Sequence, residues 1–260
     1  MLVLLVTSFF IALVLGYCLY LQIRMITRQG RIAEIRQNFT HAMVHDMKNP
    51  VTNILMSAKT LKSGKLDENA EMKESYFNII IKEGNRLLAF SNKLLKIAKF
   101  EENKIALVKC DMDLKQVFDG LTADYLLSAP KEIRITTDIT DDTVLHADPE
   151  YIIDAFRNLI DNAIKYSKET VTIHIRAERQ KNDTLIRIKD YGIGISLKDQ
   201  KRIFEKFERS YARDKQTQSG FGLGLFYVNQ IVSAHGGCVS VESTPNEFSE
   251  FTIQIPTQKI

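Results

Sequence analysis

Hydrophobic and polar positions divide the chain into stretches of different period. From Met1 to Ile23 there is no charged side chain, and Leu, Val, Ile, Phe and Ala dominate to about Leu21. At ~1.5 Å per residue a helix of this length spans roughly 30 Å, the thickness of a bilayer core. Over residues 31–62 the apolar positions Ile32, Ile35, Phe39, Met43, Met47, Val51, Ile54, Ala58 and Leu61 fall on one side of a helix turning about 100° per residue. Gly64 interrupts that run, and Asp67, Glu68 and Asn69 offer acidic and capping residues for a second helix. The second run, residues 70–99, places Phe77, Ile80, Gly84, Leu87, Ser91, Leu94 and Ala98 at alternating steps of three and four, a heptad seam. Beyond residue 103 the period changes. Strand-like runs at 104–110, 134–139, 171–177, 184–189, 238–242 and 251–255 mix with helical patterns near 114–127, 149–166 and 223–234.

The pattern predicts an α+β chain: a transmembrane helix (1–23), an antiparallel helical hairpin (24–101) and an α/β sandwich (102–260). Arg24, Arg28, Arg31 and Arg36 follow the apolar run and place its C-terminal side in the cytoplasm. A cleaved signal peptide fits less well, because no basic region precedes the run and no small-x-small site follows it. If Met1 is not the natural start, the run would be the last span of a longer receptor. Two hairpin helices hide their apolar stripes poorly alone, whereas two hairpins packed as a four-helix bundle bury both, which predicts a homodimer. The alternative is a bundle formed with the downstream domain of the same chain.

Composition alters little. With 260 residues, 45% hydrophobic and 26% charged, the chain is ordinary globular material with room for one large or two modest domains. A net charge of +3 without a separate basic patch gives no support to nucleic-acid binding. Cys18, Cys110 and Cys238 are widely separated, in neither metal-type nor disulfide-type spacing, and suit a reducing cytosol.

Candidate chemistry lies in short clusters. His45 falls about 180° from the middle of its helix's apolar stripe, with Asp46 beside it and Asn49 one turn on. A solvated surface histidine is the plain alternative. His41 and His45 are one turn apart, but the zincin pattern needs Glu after the first histidine and Ala42 stands there. Pro50 removes a helical hydrogen bond and predicts a kink just after the histidine. Asn158 and Asn162, again one turn apart, offer amide oxygens that hold Mg²⁺ without adding charge that would repel a triphosphate, although paired asparagines on a solvated helix face are the commoner case. Lys165 is placed to reach phosphate and Tyr166 to flank a base or ribose. Asp190, at a strand end, suits an amino group such as that of adenine, and Gly192 and Gly194 let a ligand approach the backbone. Gly220, Gly222 and Gly224 open another helix, where exposed N–H groups favour phosphate. Leu225 excludes a dinucleotide fingerprint, and no Gly-Lys-Ser/Thr follows to make a Walker loop. Between these glycine clusters, about 25 residues containing Phe204, Phe207, Arg209 and Arg213 read as a mobile lid.

Taken in order, His45-Asp46-Met47-Lys48-Asn49-Pro50, Asn158 with Asn162-Ala163-x-Lys165-Tyr166, Asp190-x-Gly192-x-Gly194, Phe204 with Phe207, and Gly220-x-Gly222-Leu223-Gly224-Leu225 resemble the sensor histidine kinases of two-component signalling. The likeness runs from about residue 30 to the C-terminus. It implies a dimerisation and phosphoacceptor hairpin followed by a Bergerat-type ATP-binding domain, with ATP and Mg²⁺ as cofactors. By the same resemblance His45 is phosphorylated, Asp46 orients or deprotonates its imidazole, and Asn162 with Asn158 forms the Mg²⁺ side. Lys165 and Arg209 hold phosphate, Tyr166 lies by the nucleotide, Asp190 recognises adenine, and Gly192, Gly194, Phe207, Gly220, Gly222 and Gly224 complete the nucleotide site. The implied partners are a second copy of the chain and the receiver domain of a response regulator, whose aspartate takes the phosphoryl group. Asn49 stands where related kinases position a water that hydrolyses the regulator's phosphoaspartate, which implies a phosphatase activity. The implied place is the cytoplasmic (inner) membrane, single-pass, with the catalytic part in the cytoplasm.

Three positions depart from the family pattern. Asp46 replaces the commoner Glu, Phe221 stands where a small residue is frequent, and residues 244–248 lack the usual Gly-rich turn, so that hairpin is expected to differ. Two other readings compete: a membrane scaffold that binds ATP without transferring phosphate, and another Bergerat ATPase such as a topoisomerase, chaperone or mismatch-repair subunit. The latter lack the His-Asp-x-x-Asn-Pro helix and usually carry a carboxylate where Asn158 stands.

Overall fold

The structure is a computed structural model. It describes every residue except 68, 103–104, 129–131, 141–142, 169, 207–222 and 258–260, and within its helices the side chains of 2–4, 28, 31–32, 34–36, 38–39, 41–42, 45–46, 101 and 128 are also outside the description. The chain divides into two compact units, Met1–His45 and Asp46–Ile260.

The first unit is helical throughout, the start of helix α1 (Leu2–Lys62). Within it Leu5–Thr27 is apolar and long enough to cross a membrane, and none of it is buried by protein. In the second unit α1 continues through Pro50, whose ring is buried. The helix that the apolar stripe predicts through to residue 62 is thus present with the proline inside it. A helical proline forfeits one backbone hydrogen bond, here that to the Asp46 carbonyl, and the remaining ladder carries on to Lys62.

Gly64 turns the chain in the left-handed region, φ +71°. Helix α2 (Ala70–Glu101) then begins at Asn69, whose side chain accepts the Met72 N–H at 3.0 Å, the cap the sequence offers. Asn53 on α1 donates to Glu83 on α2 at 3.1 Å. Val51, Leu55, Met56, Phe77, Ile81, Leu88 and Leu95 stay exposed, so the hairpin leaves a large apolar band uncovered.

The rest of the chain is an α/β sandwich. Strand β1 (Cys110–Asp113) leads into α3 (Leu114–Ser128), β2 (Ile133–Ile139), β3 (Val144–Ala147), α4 (Pro149–Tyr166), β4 (Val171–Gln180), β5 (Asp183–Asp190), the short α5 (Leu197–Gln200), α6 (Gly224–Ala234), β6 (Cys238–Thr244) and β7 (Phe248–Pro256). β1 and β3 form a small antiparallel pair, and the main sheet has the order β2-β4-β5-β7-β6. β2 runs parallel to β4, and the other pairings are antiparallel. Along β4, Val171, Ile173, Ile175 and Ala177 are buried while Thr172, His174 and Arg176 are not. One face of the sheet therefore packs beneath α3, α4 and α6, around a core that includes Phe118, Phe156, Leu159, Ile173, Ile186 and Ile231.

The strand expected over 104–110 is corrected: it begins only at Cys110. The apolar residues 105–108 have no pairing strand, and the Val108 N–H is taken by the Asp148 carboxylate at 2.8 Å. The β6–β7 hairpin differs from a glycine turn as expected, because Asn246 occupies the left-handed position, φ +65°.

Candidate active site

The site is built along α4, whose start is fixed on both sides. Asp148 caps it, Oδ1 accepting from Glu150 N at 3.1 Å, with Pro149 in the first turn where its missing N–H costs nothing. The Asp148 N–H donates to His235 Nε2 at 3.0 Å, and His235 Nδ1 donates to the Ile231 carbonyl at 2.8 Å. Burial holds the His235 imidazole below its ordinary pKa, that is, neutral, in keeping with Nε2 acting as an acceptor.

With its start pinned, α4 buries Ile152, Ala155, Phe156, Leu159, Ile160 and Ala163 and turns Asp154, Asn158, Asp161, Asn162 and Lys165 away from the core. Asn158 donates through Nδ2 to the Asp154 carbonyl at 2.6 Å, which directs its Oδ1 outward. A methyl group placed on Gly224, at the start of α6, would lie 3.4 Å from that Oδ1 and 3.8 Å from Asn162 Nδ2. The two asparagines and the first turn of α6 thus meet at one end of the site.

One turn beyond Asn162, between the two ends, Lys165 Nζ lies 3.2 Å from the Tyr166 hydroxyl and 4.8 Å above its ring centre. Asp190 closes β5, only 5% exposed. Its Oδ1 accepts the Gly192 N–H at 3.0 Å, while Oδ2 receives no hydrogen bond among the described residues. Burial pushes this carboxyl up to about 6, against the opposing Gly192 N–H. The loop after Asp190 is fastened to the end of α4 by Ile193 N to Tyr166 O, 3.1 Å, and to the β6–β7 turn by Asn246 N to Ile193 O, 2.7 Å. Glycine is required twice here. A Cβ on Gly192 would drive into the Tyr166 carbonyl and come within 2.8 Å of Asp190 Oδ1, and Gly194 sits at φ +65° against the Thr244 carbonyl. From Tyr166 to Asn158 is eight residues of helix, about 12 Å at ~1.5 Å per residue, a span that suits a base at one end and a triphosphate at the other.

The donor set fits a Mg²⁺-nucleotide: neutral amide oxygens beside a helix start, a cation at Lys165, and a buried acid with a spare oxygen. Asn158, Asn162, Lys165, Tyr166, Asp190, Gly192, Gly194 and Gly224 are all brought to this one face of the domain. His45 and Asp46 lie in the helical backbone of α1, but their side chains are outside the described residues; Asn49 is exposed. Phe207, Arg209, Gly220 and Gly222 fall outside the described residues altogether. Phe204, just before them, packs edge-on against Phe251, 6.3 Å between ring centres.

A second group of residues at the site belongs to no sequence motif. Lys93 on α2 donates to Asn158 Oδ1. Burial brings this ammonium down to about 8, with Asp161 and Asp154 acting to raise it. Lys96 pairs with Asp154 at 2.7 Å and Glu150 at 3.0 Å, and the Tyr227 hydroxyl donates to Asp154 at 3.2 Å. Phe100 packs edge-on against Tyr151 and Tyr227, 5.2 and 6.0 Å between ring centres. The one signal that could have found them is the spacing of Lys93, Lys96, Ile97 and Phe100 on one side of α2.

Two family models match the chain: the His Kinase A (phospho-acceptor) domain over residues 35–103, and the histidine kinase-, DNA gyrase B- and HSP90-like ATPase over residues 147–259. The sensor protein RprX of Bacteroides fragilis is 29% identical over 258 residues, covering 98% of this chain and 50% of that protein. The alginate biosynthesis sensor protein KinB of Pseudomonas aeruginosa is 30% identical over 244 residues, 91% of this chain and 39% of its own length. The chain thus spans half or less of these curated relatives. Among solved structures, the Acinetobacter baumannii histidine kinase AdeS superposes with a TM-score of 0.62 at 22% identity, over 83% of this chain and 98% of that one, a likeness of fold.

Proposed function

We propose, since the chain belongs to the sensor histidine kinases of two-component signalling, that it phosphorylates its own His45 from ATP and passes the phosphoryl group to an aspartate of a response regulator. The observation that carries this reading is the line of groups along α4, from the buried Asp190 beside Tyr166 to the paired Asn158 and Asn162. Asp190 Oδ2 accepts a hydrogen from the adenine amino group, a role open to an ionised carboxylate near pH 7. Gly192 and Gly194 keep the backbone clear for the base. Lys165 and Arg209 bind phosphate oxygens, and Phe207, Gly220, Gly222 and Gly224 frame that end of the nucleotide. Asn158 and Asn162 would hold Mg²⁺, which when bound would neutralise charge on the transferring group.

His45 offers an imidazole lone pair to the γ-phosphorus. A P–N bond forms as the bond to the bridging oxygen breaks, ADP keeps that electron pair, and Asp46 takes the imidazole proton. Imidazole, with an ordinary pKa of about 6.5, is largely neutral and nucleophilic at pH 7. Asn49, exposed one turn after His45, positions a water for hydrolysis of the regulator's phosphoaspartate. The apolar band on the hairpin is covered by the hairpin of a second copy, giving a homodimeric four-helix bundle. Leu5–Thr27 crosses the cytoplasmic membrane once, with the catalytic part in the cytoplasm. The proposed division of the chain is a membrane segment from the N-terminus to about residue 23, extended to Thr27 by the apolar span, then 24–101 and 102–260.

The reading is tested by nucleotide selection. The full chain in detergent micelles should bind ATP in preference to GTP, whose ring carries a carbonyl where adenine has its amino group. Asp190→Ala should weaken ATP by about a hundredfold, near the upper end of the cost of one unmet hydrogen-bond partner. Equal affinity for both nucleotides, unchanged in the variant, contradicts the proposal.

A further inference from the structure

We propose that Lys93 is an internal occupant of the divalent-cation position, so that a Mg²⁺-nucleotide binds only as the Lys93 ammonium leaves Asn158. The inference rests on Asn158 and Asn162 being the metal-side residues.

Asn158 has one side-chain oxygen, and its amide is oriented by the bond from Nδ2 to the Asp154 carbonyl. Lys93 Nζ donates to that oxygen. The ammonium also lies 3.9 Å from where a Gly224 methyl would stand, a point 3.8 Å from Asn162 Nδ2. It therefore sits among the two asparagines and the first turn of α6, where a metal held by those asparagines would stand. Mg²⁺ takes oxygen ligands at about 2.0–2.1 Å in near-octahedral geometry, and an ammonium on the same amide oxygen would be held against a like charge.

This ammonium is seated rather than stray. Asp154 and Asp161 attract it, and it stands 5.4 Å over the Tyr227 ring. One turn on, Lys96 grips Asp154 and Glu150, and Phe100 is buried against Tyr151 and Tyr227. Tyr227 donates to the same Asp154 that holds Lys96. One side of α2 thus carries both the plug and its fastening. Linkage makes the effect reciprocal: docking of α2 weakens the Mg²⁺-nucleotide, and the Mg²⁺-nucleotide loosens α2 from α4. A residue of the phosphoacceptor hairpin is in this way a positioning residue for nucleotide loading.

The test is calorimetric titration of the full chain in lipid nanodiscs with a non-hydrolysable ATP analogue, once with excess Mg²⁺ and once with EDTA. Lys93→Gln removes the charge, and Lys93→Met keeps the apolar stem. Asn158→Ala tests the metal side. Both Lys93 variants should bind the Mg²⁺-nucleotide about tenfold tighter, the factor expected on removing an occupant present in nine-tenths of free molecules. Their affinity in EDTA should stay within about twofold, and Asn158→Ala should lose most of the Mg²⁺ dependence. If Mg²⁺-nucleotide affinity is unchanged or weaker in the Lys93 variants while Asn158→Ala still loses Mg²⁺ dependence, the plug is overturned and the metal reading stands. If Asn158→Ala keeps its full Mg²⁺ dependence, both are overturned.

Discussion

The backbone N–H of Asp148 donates to Nε2 of His235 at 3.0 Å, joining the start of α4 to the end of α6 through a single imidazole. Because burial lowers the His235 pKa from its ordinary value, the fold favours the neutral ring. Its contribution is present above the unfolded pKa of about 6.5 and is lost as pH falls below it, since the unfolded chain then binds the extra proton. Asp190, raised to about 6, acts with the opposite sign, favouring the fold at low pH and losing that contribution as pH rises through about 6. The two are separated by variants. The urea midpoint of the ATP-binding domain, followed in the full chain in detergent, should fall more steeply from pH 7 to 5 in Asp190→Asn than in the unaltered chain. His235→Gln should flatten the fall. His235→Ala, which leaves the Asp148 N–H without its acceptor, should cost about 2 kcal/mol at pH 7.

The proposed contact of Asp190 with adenine carries a pH dependence of binding. An ionised carboxylate accepts the adenine hydrogen more strongly than the neutral carboxyl does, and burial pushes this carboxyl up to about 6. ATP affinity should therefore rise between pH 5 and pH 7 and level off above. A fluorescent-nucleotide displacement series across that range checks this, with Asp190→Asn expected to be both weak and flat.

Much of this site was legible in the sequence because its parts are local. Asn158, Asn162, Lys165 and Tyr166 share one face of one helix, and Asp190, Gly192 and Gly194 follow one strand, so spacing alone groups them. Lys93 and Asn158 are 65 residues apart, and nothing in either neighbourhood announces their contact. It depends on α2 docking against α4 and α6, which pattern does not encode. The strand expected at 104–110 failed for a related reason. Ile105, Leu107 and Val108 have strand-like side chains, but the partner strand β3 pairs with Cys110–Asp113 instead. β3 itself, four residues long, is too short to show a period.

Two glycines in the Asp190 loop differ in how far they reach the Asp190 carboxylate, and both should cost stability. Gly194→Ala forces a left-handed φ on a residue with a Cβ and presses it on the Thr244 carbonyl, so the domain should lose about 2–4 kcal/mol. Gly192→Ala pushes the loop from the Tyr166 carbonyl and crowds the Asp190 carboxylate. Nucleotide affinity should drop roughly tenfold or more, the scale of one disturbed polar contact. Thermal unfolding and nucleotide titration of both variants check this: both should melt lower, and the loss of affinity measured where each is folded should be larger for Gly192→Ala.

Asn49 is exposed on α1 and makes no contribution to the core. Asn49→Ala should leave phosphorylation of the chain within about twofold, as expected for a surface change. Loss of phosphate from a phosphorylated receiver domain should slow by about a hundredfold, within the usual range for a lost catalytic positioning group. A time course of receiver dephosphorylation, beside autophosphorylation of the same preparation, distinguishes the two.

The most direct measurement is labelling of the full chain with γ-³²P ATP and Mg²⁺, beside His45→Gln. The label should be lost in acid, stable in alkali and absent from the variant. Label that persists in His45→Gln, or that is stable to acid, would contradict phosphorylation of His45.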